Sequence, residues 1–150
     1  MIDVDNMKHV LMLYPQLKDN GDFANNTYVD TLGWTHLRVL FMVGVTDIGV
    51  GSTAEGTPPL LEECDTSGGS YSDVTSAALA AVIAATDDGL IKAIDVDLSK
   101  THKRYIQVQA PHSGDGSVGA NLAILGILSR TDGNGPANAA GMGLDELIKA

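Results

Sequence analysis

The stretch that decides the fold is Tyr105-Ile106-Gln107-Val108-Gln109-Ala110, in which apolar and polar side chains alternate. On an extended backbone the isoleucine, valine and alanine fall on one side, and the tyrosine and both glutamines fall on the other. A helix would scatter the glutamines around its circumference. The alternation therefore predicts a β-strand with one buried face and one polar face.

Similar short segments, separated by turn sequences, occur on both sides of this strand. The predicted strands are 7–13, 27–32, 34–45, 60–64, 71–74, 90–98, 104–110 and 118–128, the last being either a central strand or a buried helix. Many short strands at this spacing predict an all-β fold, a β-sandwich or jelly roll, and not βαβ units. The alanine-rich stretch 75–86 predicts a short helical or irregular connection.

Length and composition predict a single β-sandwich domain, 1–130, followed by a flexible C-terminal arm, 131–150. A chain of 150 residues with 44% hydrophobic content is long enough to bury a core. The arm begins TDGNGPANAAGMG, which has little apolar surface to bury. Near its end, Leu144, Leu147 and Ile148 would share one face of a short helix, which either docks on a partner or frays.

The long strand predicted between Trp34 and Val45 has two different faces. One is uniformly apolar and consists of Leu37, Val39, Phe41, Val43 and Val45. The other begins with His36 and Arg38 but also carries Leu40 and Met42. We therefore expect a neighbouring subunit to cover this second face in part. The candidate partner contacts are Leu40, Met42, Leu144, Leu147 and Ile148.

Charge and hydropathy exclude several classes of partner. The formal net charge is −10, which would repel phosphate groups, so we expect no nucleic-acid partner. No apolar run approaches the roughly 18 residues needed to span a bilayer. The acidic N-terminus lacks an apolar signal segment. We therefore expect neither a membrane partner nor secretion, and the basic cluster at 100–104 is typical of a solvated turn.

No catalytic cluster is recognisable in the sequence. Residues 114–119 read GDGSVG, a literal G-x-G-x-x-G, but three residues separate them from the preceding strand and no acidic residue follows about twenty positions later. We interpret them as a glycine-rich hairpin turn. The four histidines are dispersed, Cys64 is the only cysteine, and Glu62 and Glu63 point to opposite faces of a strand. The sequence therefore predicts no enzyme, no cofactor and no metal site.

Six segments, taken in order, resemble a family of small proteins encoded among the head genes of tailed bacteriophages and prophages. They are MKHVLMLYPQ (7–16), TYVDTLGWTHLRVLFMVGVTDI (27–48), LLEECDTSGGSYSDVT (60–75), DDGLIKAIDVDL (87–98), KRYIQVQA (103–110) and VGANLAILGILSR (118–130). Trp34 stands where an aromatic residue or Leu begins a long strand of the family. Residues 61–66 resemble its LQESDD strand and turn, with Glu62, Cys64 and Thr66 as departures, and residues 103–105 resemble its KRYI strand start.

The resemblance covers most of residues 7–130 and implies a virion structural protein with a β-sandwich or jelly-roll fold. Many such proteins sit on the capsid exterior as decoration, or cement, proteins, often as trimers at local three-fold axes. The resemblance thus implies a homotrimer whose partner is the major capsid protein, located in the virion and, during assembly, in the host cytoplasm.

Two alternatives remain open. One is a head–tail joining or tail-associated virion protein. The other is a carbohydrate-binding module, which would need several exposed aromatic side chains. The chain has one Trp, four Tyr and two Phe.

Overall fold

All regular elements in the described part of the chain are β-strands. The computed structural model describes residues 7–52, 56–114, 119–130 and 145–150. Within these residues the chain forms twelve strands and no helix. The prediction of an all-β fold is confirmed.

The strands form three sheets. The five-stranded sheet has the order β1-β11-β4-β8-β12 and consists of β1 (Met7–Lys18), β11 (Ala120–Ser129), β4 (His36–Thr46), β8 (Ile91–Asp97) and β12 (Glu146–Lys149). The four-stranded sheet has the order β3-β9-β6-β7 and consists of β3 (Val29–Asp30), β9 (Tyr105–Val108), β6 (Leu60–Cys64) and β7 (Ser72–Ala78). The three-stranded sheet has the order β2-β10-β5 and consists of β2 (Gly21–Asp22), β10 (Pro111–Ser113) and β5 (Val50–Ser52).

One face of the five-stranded sheet, here called the inner face, packs against the two smaller sheets. The side chains that this face contributes to the core are mainly Leu37, Val39, Phe41, Leu122, Ile124 and Leu128. These side chains belong to one hydrophobic cluster with Val29, Ile106 and Val108 of the four-stranded sheet and with Val50 of the three-stranded sheet. Apolar side chains from all three sheets are thus removed from water together, which is the arrangement of a sandwich-like fold.

The predicted alternation of the long strand holds over most of β4 and then reverses. Leu37, Val39 and Phe41 are fully buried. Val45, predicted on the same face, is 63% exposed, whereas Thr46 is only 4% exposed. The pairing of β4 with β11 shifts register between Ala120 and Leu122. Such an irregularity exchanges the two faces of a strand, so the placement of Val45 on the buried face was wrong.

The first strand is longer than its sequence predicts. A Pro at position 15 suggested an end at Leu13, but β1 continues to Lys18. This strand lies at the edge of its sheet. One side of an edge strand has no neighbouring strand, so Pro15 can lack an N–H there without loss of a hydrogen bond. Its pairing with β11 shifts register between Leu13 and Gln16, on either side of the proline.

The alanine-rich stretch 75–86 contains no helix. Its first residues, through Ala78, complete β7, and Ser76 has a φ of 62° that a right-handed helix does not allow. Residues 79–86 form an irregular connection held by a bridge between Ile83 and Val50. The helical alternative was wrong. Alanine has a high helix propensity, but pairing of the first residues with β6 and the bridge at Ile83 outweigh it.

The end of the chain is also a strand, although its sequence suggested a helical turn. β12 pairs in parallel with β8, with Leu147 opposite Ala93 and Ile148 opposite Ile94. Residues 145–150 are therefore part of the five-stranded sheet. Leu144 and the rest of 131–144 lie outside the described residues.

The glycine-rich stretch 114–119 connects two different sheets, because β10 pairs with β2 and β5 whereas β11 pairs with β1 and β4. The interpretation as a hairpin turn was therefore wrong. Gly119 has a φ of +89°, a conformation that other residues adopt at a cost. Its N–H donates to Asp47 Oδ1 at 2.6 Å. A Cβ atom here would lie 2.6 Å from the carbonyl oxygen of Lys18.

We predict that Gly119→Ala lowers the free energy of unfolding by about 2 kcal/mol or more, from backbone strain and the clash together. Urea denaturation measures the change. Gly68→Ala is the matched control, since a Cβ at Gly68 meets nothing within 4 Å. Equal stability of the two variants would contradict the role assigned to Gly119.

Candidate docking face

The face of the five-stranded sheet that points away from the core, here called the outer face, carries an unbroken apolar row. Successive register partners across all five strands are Leu11, Leu125, Leu40, Ala93 and Leu147. None of the four leucines belongs to the core cluster. Leu11 is 50% exposed, and Leu40 is half-buried. The row is therefore apolar on every strand; its leucines are exposed or half-buried, whereas Ala93 is fully buried among them.

A second, shorter apolar row lies beside the first. Met42 pairs with Ala123 on one side and with Ile91 on the other. Because residues two positions apart on a strand share a face, Met42 lies next to Leu40 on β4. The two rows together place an apolar area at the centre of the outer face.

A row of residues that is polar on β4, β8 and β12 and apolar on β11 forms one border of this area. Ile127, Arg38, Asp95 and Lys149 are successive register partners. Arg38 donates from Nε to Asp95 Oδ1 and from Nη2 to Asp95 Oδ2, both at 2.7 Å. His36 Nε2 lies 3.6 Å from the same carboxylate. The two parallel hydrogen bonds fix the guanidinium in one orientation.

The Asp95 carboxylate is buried, with 8% of its side chain exposed. Burial by itself would raise its pKa, but the two hydrogen bonds from Arg38, together with the nearby His36, outweigh that effect and lower the pKa to about 2. The same bonds raise the pKa of Arg38 against the effect of its burial. The border of the apolar area thus keeps a fixed pair of charges at any pH above about 4.

The predicted contact residues separate into three groups. Leu40, Met42 and Leu147 come together on the outer face. Ile148 instead packs against the core. Leu144 lies outside the described residues. Their role in partner contact stays a prediction.

Sequence reasoning missed Leu11 and Leu125, which extend the row to the edge of the sheet. The alternation along β11 places Leu125 on a face together with Ala123. What the sequence lacks is the order of the strands, which places Leu125 beside Leu40 and Leu11 beside Leu125.

The basic cluster of residues 100–104 is bonded to the protein itself. Arg104 makes two hydrogen bonds to Asp30, at 2.9 and 2.8 Å. Lys103 donates from Nζ to Ser72 Oγ at 2.8 Å, and His102 Nδ1 lies 3.0 Å from Glu63 Oε2. The cluster is therefore a set of pairs that join β3, β6 and β7 to the turn before β9.

The carboxylates of Glu62 and Glu63 have separate partners, as expected for opposite faces of a strand. Glu62 accepts a hydrogen bond from Gln107, and Glu63 pairs with His102. Cys64 ends the same strand, with its thiol buried. In the part of the chain that the structure describes, no three His, Cys, Asp or Glu side chains are grouped so as to hold a metal ion. The same residues include no helix of the length and hydropathy needed to cross a membrane.

Comparison with known proteins assigns no family to the chain: no protein-family model and no curated protein sequence matches it.

We predict that Asp95→Asn lowers the free energy of unfolding at neutral pH by about 2 kcal/mol, because the Arg38 guanidinium loses its counter-charge. The folded pKa of about 2 lies below the ordinary value of 3.8. The stabilisation is therefore complete above about pH 4 and is lost as the pH falls toward 2. Urea denaturation of both proteins across this range measures the effect.

Asp73→Asn is the control, since this carboxylate is exposed on β7. We expect it to change stability by less than about 0.5 kcal/mol. A difference between wild type and Asp95→Asn that stays constant down to about pH 2 would show that the carboxylate charge is not responsible.

Proposed function

We propose that this protein is a virion structural protein that decorates the exterior of a tailed-bacteriophage capsid and binds the major capsid protein through its outer face. The observation that carries the proposal is the apolar row across all five strands, which lies outside the core cluster. The resemblance of residues 7–130 to phage head proteins gives the class of partner. The proposal assigns the protein no catalytic activity.

The segments that carry the resemblance correspond to strands of the two larger sheets. Segment 7–16 lies in β1, segment 27–48 contains β3 and β4, and segment 118–130 contains β11. Segments 60–75, 87–98 and 103–110 contain β6 with the start of β7, then β8, and then β9. The resemblance therefore follows the framework that supports the outer face, and it leaves out β12.

The outer face has a size suited to a stable contact. Five strands at about 4.8 Å spacing span roughly 20 Å, and the eleven residues of β4 extend over about 35 Å. Because side chains project from the sheet, the surface of this face is somewhat larger than its flat outline and is close to the ~800 Å² that each partner buries in a standard interface. Burial of apolar surface contributes about 25 cal/mol per Å² before the cost of association.

The charged border would give this contact its orientation. A fixed Arg38–Asp95 pair beside an apolar centre is the usual division of an interface into a dry core and a polar rim. The net charge of −10 favours approach to a basic surface on the partner.

A decoration protein strengthens the capsid shell because many copies bind to it. One copy bound between two capsid subunits adds one modest contact. When many copies are bound, many such contacts must break together before DNA pressure can expand the shell. A homotrimer at a local three-fold axis would bind through three outer faces at once. The proposal thus places the protein on the capsid exterior in the virion and in the host cytoplasm before assembly.

The test is binding to heads assembled without this protein. We expect the purified protein to bind in hundreds of copies, counted by quantitative gel electrophoresis and located by cryo-electron microscopy. A ring of six or twelve copies would favour head–tail joining instead. Absence of binding would contradict both assignments.

We predict that Leu40→Asp lowers occupancy on such heads at least about tenfold, because a carboxylate would be buried without a partner at the centre of the contact. Since Leu40 is outside the core cluster, the folded state should persist, as circular dichroism will verify.

Leu32→Asp is the matched control. Leu32 is 68% exposed and lies in the turn between β3 and β4, outside both apolar rows of the outer face. Equal loss of occupancy in both variants would contradict the assignment of the outer face as the contact surface.

A further inference from the structure

The C-terminal strand is attached to the rest of the molecule through a buried cation. Lys92 Nζ lies 2.9 Å from Asp145 Oδ2, 3.3 Å from Asp87 Oδ2 and 3.8 Å from Glu146 Oε2. Lys92 itself is only 8% exposed. Of its three acidic neighbours, two belong to the C-terminal segment. If that segment dissociated from β8, Asp87 would be the one carboxylate of these three still beside Lys92.

The remaining contacts of the segment resemble those of a peptide bound at the edge of a sheet. The N–H groups of Asp145 and Ala150 donate to the carbonyl oxygens of Ile91 and Asp95, at 2.6 and 2.8 Å. Glu146 Oε1 accepts from the backbone N–H of Ala80 at 2.7 Å.

Apolar packing completes this edge. The side chains of Ile148 and Ala150 pack against the core cluster. The β8 edge therefore offers a backbone ladder, a cation at one end and an apolar site, which together recognise an extended acidic segment.

The position of β12 in the sheet requires a long connection from the end of β11. Because β11 and β8 are both antiparallel to β4, and β12 is parallel to β8, the chain leaves β11 at one end of the sheet and enters β12 at the other. The two points are about 25 Å apart, from the length of β8 and three strand spacings.

The chain from Arg130 to Asp145 reaches at most about 50 Å, roughly twice this distance. Chain length alone therefore does not confine the segment to the β8 edge of its own copy.

We propose that the β8 edge is a receptor for residues 145–150 of a second copy of this chain, so that neighbouring copies exchange their C-terminal strands. Every contact described above is between the segment and β7, β8 or their neighbours, so each forms identically between two copies. Copies held side by side would raise the effective concentration of this edge for a neighbour's segment. The proposal goes beyond capsid binding and does not depend on it.

The test is a disulfide trap in the full chain. Ala93 and Leu147 are register partners on β8 and β12, at a separation that suits a disulfide. The trap carries Ala93→Cys and Leu147→Cys in a Cys64→Ala background and is oxidised at high protein concentration. Non-reducing gel electrophoresis then reports which chains are joined.

We expect covalent dimers and longer chains that disappear on reduction. Trapped chains that are all monomeric would overturn the proposal, and so would a failure of the two cysteines to react. Ala93→Cys alone and Leu147→Cys alone, each in the Cys64→Ala background, are the matched controls. A chain with one cysteine forms at most a dimer, and as much dimer in either control as in the double variant would show that random contacts form the bonds.

A second measurement needs no cysteine. We expect the unmodified chain to sediment as an oligomer, and the double variant Asp145→Asn, Glu146→Gln to weaken that association about tenfold, because Lys92 loses two counter-charges. A wild-type chain that sediments only as a monomer, or a variant that associates as strongly as wild type, would overturn the proposal. Neither experiment uses capsids, so its failure is distinguishable from a failure of the proposed function.

Discussion

The rest of the structure depends on the burial of one face of the five-stranded sheet. Strand geometry sends alternate side chains to opposite faces, so the requirement that Leu37, Val39 and Phe41 be buried fixes where every neighbour on β4 must point. The two smaller sheets cover this inner face. The apolar residues between the buried ones, such as Leu40, are then left on the outer face. The candidate docking face is a direct consequence of how the core is packed.

Two buried charged residues of β8 lie on opposite faces of the sheet. Lys92 pairs with Phe41, an inner-face residue, and is held by carboxylates of the C-terminal segment. Asp95 pairs with Arg38 on the outer face. A buried charge is tolerated only with a partner, so each of these groups fixes a neighbour in place. β8 thereby connects the core, the border of the docking face and the C-terminal arm.

The sequence predicted the strands well where apolar and polar residues alternate strictly, as in β9. It failed where pairing modified the pattern. Val45 was misplaced because a register shift opposite it exchanges the two faces, and Pro15 failed to end β1 because an edge strand has a side without hydrogen-bond partners. For the candidate site, the half-covered face of Leu40 and Met42 was predicted from their own strand alone.

The order of amino acids by itself predicted the all-β fold that the described residues have. It also determined which side chains of β4 face the interior up to the register shift, and which face of β4 has mixed chemistry, because alternation is a local property of an extended backbone. Only the tertiary structure decided that Leu11, Leu125, Leu40 and Leu147 form one row, and that the last residues are a parallel strand rather than a helical turn. Both depend on which strands become neighbours. That choice is made by contacts between residues far apart in the chain, and no local pattern contains it.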